Sequence, residues 1–186
     1  MKKFIDESWL VLVLGIVFAC LLAATQTTLQ AKIDDNRARA LNNAIAEVVP
    51  GLADKEELEV DGNQVFKCLD ESGGLVGWAV KASGSGFIDR ITLVAGLSAD
   101  GGAIIGIKVI EHVETPGLGN KIDAGNPFPE QFTGKSAGLP LEVVKQTPQK
   151  PNDIQAITGA TYSSAYVTDI VNDVITRIRP QLAEHR

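Results

Sequence analysis

Hydroxyl side chains crowd one point of the sequence. In ITGATYSSAY, Thr158 and Thr161 bracket Gly159 and Ala160, and Ser163 and Ser164 follow at once. Just downstream, Val167, Ile170, Val171, Val174, Ile175 and Ile178 recur at three- and four-residue spacing until Pro180, which predicts a C-terminal helix from about Ser163. The first turn of a helix has unpaired N–H groups and the positive end of the dipole, so a phosphate there gains hydrogen bonds and electrostatic stabilisation. Gly159 and Ala160 leave room for one. On position alone, the commoner role for Thr158 or Thr161 is a helix N-cap.

A second stretch, HVETPGLGNKI from His112 to Ile122, has the makings of a binding loop. Gly117 and Gly119 let backbone amides approach a flat ring closely, and Leu118 can cover one face of it. Glu114 and Thr115 carry groups able to hydrogen-bond a ligand, or to remain solvated. Taken without its neighbours, TPGLG is an ordinary Pro-Gly turn. His112, at the end of the alternating run VIEHVE, reads as a half-exposed strand histidine rather than a proton carrier. Trp78 reads as core filling in preference to a ring partner.

These residues need a scaffold, and the intervening sequence supplies one. Short β-like runs at Gln64–Leu69, Leu75–Ala82, Ile88–Ala95 and Ala103–Val113 are punctuated by GG, GSG and DGG, which predicts an antiparallel sheet. Leu141–Lys145 has the composition of a further strand, and the Gly- and Pro-rich segment from Glu114 to Pro140 reads as a long surface loop. Upstream, Ala38, Leu41, Ile45 and Val48 mark an amphipathic stalk helix ending at Pro50-Gly51, followed by DKEELEVDGN as a polar connector. The fold class is therefore α+β: an N-terminal transmembrane helix and a stalk helix, then a small domain with an antiparallel sheet and packed helices. The expected divisions are 1–31 for tail and span, 32–62 for stalk and connector, and 63–186 for the domain.

Composition limits the function classes. With a net charge of −6 and no Lys/Arg block, the chain lacks the electrostatic footprint of a nucleic-acid binder. Its two cysteines, Cys20 and Cys68, have no second thiol or histidine at ligand spacing, so no zinc or iron–sulfur site is expected. From Ser8 to Ala31 no residue carries a formal charge, a length sufficient to cross hydrocarbon as a helix, with Trp9 suited to one headgroup level. A cleavable signal peptide ending near Ala23–Thr25 and lipidation at Cys20 are weaker readings, the latter because Phe18 is bulky where a small residue is wanted. Flanking basic residues nearly balance, so the orientation expected rests on the short N-terminal flank and the long C-terminal body: N-terminus cytoplasmic, domain extracytoplasmic, in the cytoplasmic (inner) membrane.

With HVETPGLGNKI and TGAT in this order, the chain resembles the FMN-binding domain family, specifically the G subunit of the Rnf electron-transport complex. The resemblance covers nearly the whole chain. It implies that Thr161 accepts FMN through a phosphoester, with Thr158, Gly159 and Ala160 completing the motif, and that the loop of Glu114, Thr115, Gly117, Leu118 and Gly119 lies against the isoalloxazine. Thr158 stands where serine is more usual in that family, and Phe87 where tyrosine is often found. The implied partners are a separate flavin transferase, the membrane and the other subunits of a complex coupling ferredoxin and NAD redox chemistry to Na⁺ or H⁺ translocation. The chain would relay electrons within that translocase without being catalytic alone, and without pumping, since its single span holds no ionisable residue. Other readings are the equivalent flavinylated subunit of a sodium-pumping NADH:quinone reductase, which is typically longer, and a non-redox membrane-anchored binding module in which Thr161 is only a cap.

Overall fold

The computed structural model describes residues 2–123 and 125–185, with side chains of the first helix described from Ser8 onward. Helix α1 spans Lys2–Val48, and the chain divides into two compact units between Ala40 and Leu41. In the first unit, Leu10, Val11, Leu14, Phe18, Leu21 and Leu22 are all exposed, and the apolar stretch is long enough to cross a membrane with none of it buried. A soluble helix would not leave this much apolar surface in water, and membrane anchoring accounts for it.

The second unit is built on a five-stranded antiparallel meander: β1 Asp54–Val60, β2 Asn63–Leu69, β3 Leu75–Ser85, β4 Arg90–Ser98 and β5 Ile104–Glu111, side by side in chain order. Register places Val65 opposite Val80, Val80 opposite Ala95 and Ala95 opposite Ile107. These line one face, packed under the C-terminal helix in a core with Trp78, Leu93 and Leu97. The alternate residues Phe66, Cys68, Ala79 and Val94 line the other face, covered by Ala44, Ile45, Val48 and Val49. Both faces are thus buried, which explains why the strands are apolar at consecutive positions rather than at every second one. Gly96 allows close approach here, since a Cβ on it would lie 2.7 Å from the Val48 carbonyl oxygen.

Several elements differ from the sequence expectations. The stretch expected as a polar connector is β1, joined to β2 through Asp61-Gly62, both at positive φ (50° and 74°). That geometry is a two-residue hairpin turn, for which Asp-Gly is a favoured dipeptide. Its glutamates Glu56, Glu57 and Glu59 blunt an outer strand against pairing with other chains. The segment expected as a surface loop contains a 3₁₀ turn, Gly119–Ile122, and a short helix α2, Pro127–Glu130. It buries Ile122, Phe128 and Phe132 in the core, the two phenylalanines edge to face at 5.5 Å.

Beyond it, β6 Glu142–Val144 pairs in parallel with β7 Asp153–Gln155, a strand too short to be read from sequence pattern. Helix α3 runs Thr161–Asp173, two residues earlier than expected at its start. It then widens into a π-turn, Val174–Ile178, and continues as 3₁₀ turns through Pro180 to His185, burying Leu182.

Candidate functional site

Three segments meet at one end of the sheet: the β3–β4 turn at Gly86–Ile88, the loop leaving β5 at Glu114–Gly119, and the start of α3. They enclose a cleft of about 120 Å³, lined by Phe87, Thr115, Leu118, Gly119, Gly159, Ala160, Thr161, Tyr162 and Ser163.

At the start of α3, Gly159 sits at φ +84°, turning the chain into the helix where any side chain would be strained. The N-cap is Ala160, which has no capping side chain. The first intrahelical bond is from Ser164 N–H to the Ala160 carbonyl, 3.0 Å. Among the described residues, the N–H groups of Thr161, Tyr162 and Ser163 have no acceptor. Three donors at the positive end of a 13-residue helix are therefore free beside the cleft.

The hydroxyls of this stretch separate into distinct roles. Ser164 is fully buried; its Oγ accepts from Ile157 N–H and donates to the Ala160 carbonyl, both at 3.0 Å. Ser163 is also buried and donates to Glu114 Oε2 at 2.7 Å. Thr158 is exposed and lines a different hollow, with Lys121, Pro127, Phe128 and Gln131. Thr161 is half-buried in the cleft at the first helical position, and its hydroxyl makes no hydrogen bond among the described residues. Neither threonine is the N-cap.

The TPGLG loop forms a turn from Thr115 to Leu118, closed by the Leu118 N–H to Thr115 carbonyl bond at 3.2 Å, with Gly117 at φ +79°. Pro at the second and Gly at the third position of such a turn fit the type II geometry. Gly117 faces open space, and its N–H donates to Asn120 Oδ1 at 2.8 Å. Leu118 is exposed, and a Cβ on Gly159 would lie 3.0 Å from its Cδ2, so the leucine forms the cleft edge nearest the helix start.

Glu114 faces inward. Only 4% exposed, its carboxylate accepts from Phe87 N–H at 2.7 Å and Ile88 N–H at 3.3 Å as well as from Ser163. His112 is a strut rather than part of the cleft: its Nδ1 accepts from Glu114 N–H at 3.0 Å and its Nε2 lies 2.8 Å from Asp123 Oδ1. Trp78 is fully buried in the core and does not line the cleft.

Sequence reasoning did not single out Phe87, Tyr162 or Ser163 as site residues. Phe87 and Tyr162 stack with ring centroids 5.7 Å apart and planes 17° from parallel, although both are largely exposed. An aromatic inside the polar turn GSGFID, and another directly after the hydroxyl motif, were the available signals.

A family model for the FMN-binding domain matches residues 86–176, a span that begins at the β3–β4 turn and takes in all three segments of the cleft. The sheet, the loop and the helix start thus define an FMN-binding domain. Over 177 residues the chain is 36% identical to the G subunit of the ion-translocating oxidoreductase complex of Methanosarcina acetivorans, covering 91% of each protein. It is 38% identical over 179 residues to the G subunit of the Na⁺-translocating ferredoxin:NAD⁺ oxidoreductase complex of Acetobacterium woodii, covering 86% of this chain and 84% of that one. The chain belongs to the family of G subunits of ion-translocating oxidoreductase complexes. Among solved structures, the crystal structure of Shewanella oneidensis NqrC superposes with a TM-score of 0.58 at 25% identity, covering 66% of this chain and 61% of that one.

Proposed function

We propose that this chain is the electron-relay subunit of a membrane-bound ferredoxin:NAD oxidoreductase that translocates ions, and that it carries FMN as a phosphoester on Thr161. The observation that carries the attachment site is the state of the hydroxyls: of the four serine and threonine hydroxyls near the start of α3, Thr161 alone lies in the cleft with its oxygen unengaged. The residues present fit the group. A phosphate esterified to Thr161 would be held by the three unpaired N–H groups, which no capping side chain occupies.

When bound, FMN supplies the capacity to accept and donate electrons, and the protein supplies position and surroundings. Thr161 tethers it, the helix start neutralises phosphate charge, and Leu118, Phe87 and Tyr162 offer apolar surface to a flat ring. Thr115 and Gly119 complete the lining, while Thr158 lines the neighbouring hollow with Lys121 and Phe128.

The apolar first helix anchors the domain, with residues 1–31 as cytoplasmic tail and span and the FMN-binding domain, whose sheet begins at Asp54, outside the cytoplasm, in the inner membrane. The test is intact mass with tryptic mapping of protein made together with an active flavin transferase. A mass increment of esterified FMN on the peptide containing Thr161 is the expected result. An unmodified peptide, with the transferase active on another substrate, would favour the non-redox binding module.

A further inference from the structure

We propose that Glu114 is the positioning residue of the cleft, acting through Phe87 and Ser163 to hold its three walls in the arrangement that presents Thr161. The inference deepens the reading of the cleft as the FMN site and rests on it. A buried carboxylate is costly unless its oxygens are satisfied. Here the donors are unusual in their distribution: Phe87 and Ile88 N–H belong to the β3–β4 turn, Ser163 Oγ belongs to α3, and Glu114 itself begins the TPGLG loop. One side chain therefore ties together three segments far apart in sequence, the longest link joining residues 49 positions apart.

The surrounding glycines fit the same device. A Cβ on Gly86 would lie 2.6 Å from Glu114 Oε1, and one on Gly119 would lie 2.9 Å from Glu114 Oε2 and from Ser163 Oγ. Gly119 lines the cleft, so the carboxylate stands directly behind that wall. His112 fixes the loop from the other side by accepting the Glu114 N–H. Without the carboxylate, the turn carrying Phe87 is released from α3, the Phe87–Tyr162 stack loses its support, and Ser163 no longer fixes the helix start that carries Thr161.

Glu114→Gln and Glu114→Ala separate this role from general stabilisation. In Glu114→Gln the amide oxygen can accept from Phe87 and Ile88 N–H while the amide nitrogen donates to Ser163 Oγ, so the tie survives without its charge. In Glu114→Ala it is gone. Two readouts are taken on the full-length chain in detergent: amide hydrogen exchange without flavin, and flavin incorporation at Thr161 after production with an active transferase.

The expected result is exchange at Phe87 and Ile88 at least tenfold faster in Glu114→Ala, with β2 and β4 unchanged, and incorporation reduced at least tenfold. Glu114→Gln restores both to within about threefold of wild type. Wild-type exchange and loading in Glu114→Ala would overturn the proposal, as would loss of protection spread evenly over the sheet, or a Glu114→Gln variant as defective as Glu114→Ala. If Glu114→Ala does not fold, Ser163→Ala cuts only the tie to the helix, and wild-type loading there overturns the proposal. Wild-type protein that takes up no flavin counts against the FMN reading alone, because the exchange comparison still decides the role of Glu114.

Discussion

Thr161 and Ser164 sit one helical turn apart and carry similar hydroxyls, yet replacing each by alanine has opposite consequences. Thr161 is not the N-cap, its hydroxyl satisfies no partner among the described residues, and it is only half-buried. Alanine there removes no hydrogen bond and raises helix propensity, by up to ~0.7 kcal/mol, which offsets the methyl lost from the cleft wall. The net change in stability is within ~0.5 kcal/mol. Ser164 is fully buried and links Ile157 N–H to the Ala160 carbonyl, so alanine leaves a part-buried donor unpaired. That costs ~1–3 kcal/mol, or roughly 2–10 °C in Tm for a unit of this size.

Covalent flavin moves the other way: Thr161→Ala abolishes it, whereas Ser164→Ala retains a flavinylated fraction among folded molecules. Thermal unfolding followed by circular dichroism, alongside intact mass with in-gel flavin fluorescence, reads both quantities on the same samples. Flavin still attached in Thr161→Ala would refute the acceptor assignment. A Tm loss as large as that of Ser164→Ala would refute the claim that the Thr161 hydroxyl is structurally idle.

Further outcomes follow from other parts of the molecule. Burial pushes the Cys68 thiol up to about 11 from an ordinary 9.0. Between these values the unfolded chain ionises and the folded one does not, so stability falls as pH rises from about 9 to about 11, by roughly 2–3 kcal/mol; urea unfolding at pH 8 and pH 11 measures the loss, and Cys68→Ala should remove this part of it. Gly96→Ala drives a Cβ to within 2.7 Å of the Val48 carbonyl oxygen, forcing the end of α1 off the sheet, and should lower Tm by several degrees in a melt of the intact chain. Glu114→Gln removes a fixed negative charge from behind the cleft, so the midpoint potential of attached flavin should rise in a redox titration; an unchanged potential would mean that the charge is screened from the ring.

Much of this molecule is legible in its sequence because its strongest signals are local. The apolar run from Ser8, the strand runs and the repeat of apolar residues in α3 all express a period that secondary structure imposes. The Asp61-Gly62 hairpin was equally local, but the charged composition of β1 disguised a strand whose Leu58 and Val60 alone face the core. The segment after Glu114 misled because Gly and Pro dominate its composition, whereas Phe128 and Phe132 decide its burial.

At the cleft, the motif residues that do not depend on distant partners were visible. Thr161, Leu118 and Gly119 line it. The inward turn of Glu114 was not visible, since it depends on backbone N–H groups contributed by Phe87 and Ile88. Nor was the stacking of Phe87 on Tyr162, which needs the β3–β4 turn brought beside α3.

Alanine at the N-cap of α3 has a thermodynamic sequel. A serine or aspartate in place of Ala160 would bond the free N–H groups and stabilise the protein by ~0.5–2 kcal/mol, yet it would fill the space and satisfy the donors that a phosphate needs. The helix start is thus left incomplete by the polypeptide, and under the proposed attachment a phosphate on Thr161 would serve as its cap. Attachment should therefore raise the unfolding temperature of the domain. With that attachment the cofactor would be a folding element as well as a redox centre, so a cell short of flavin would accumulate chains that are less stable as well as electrically silent.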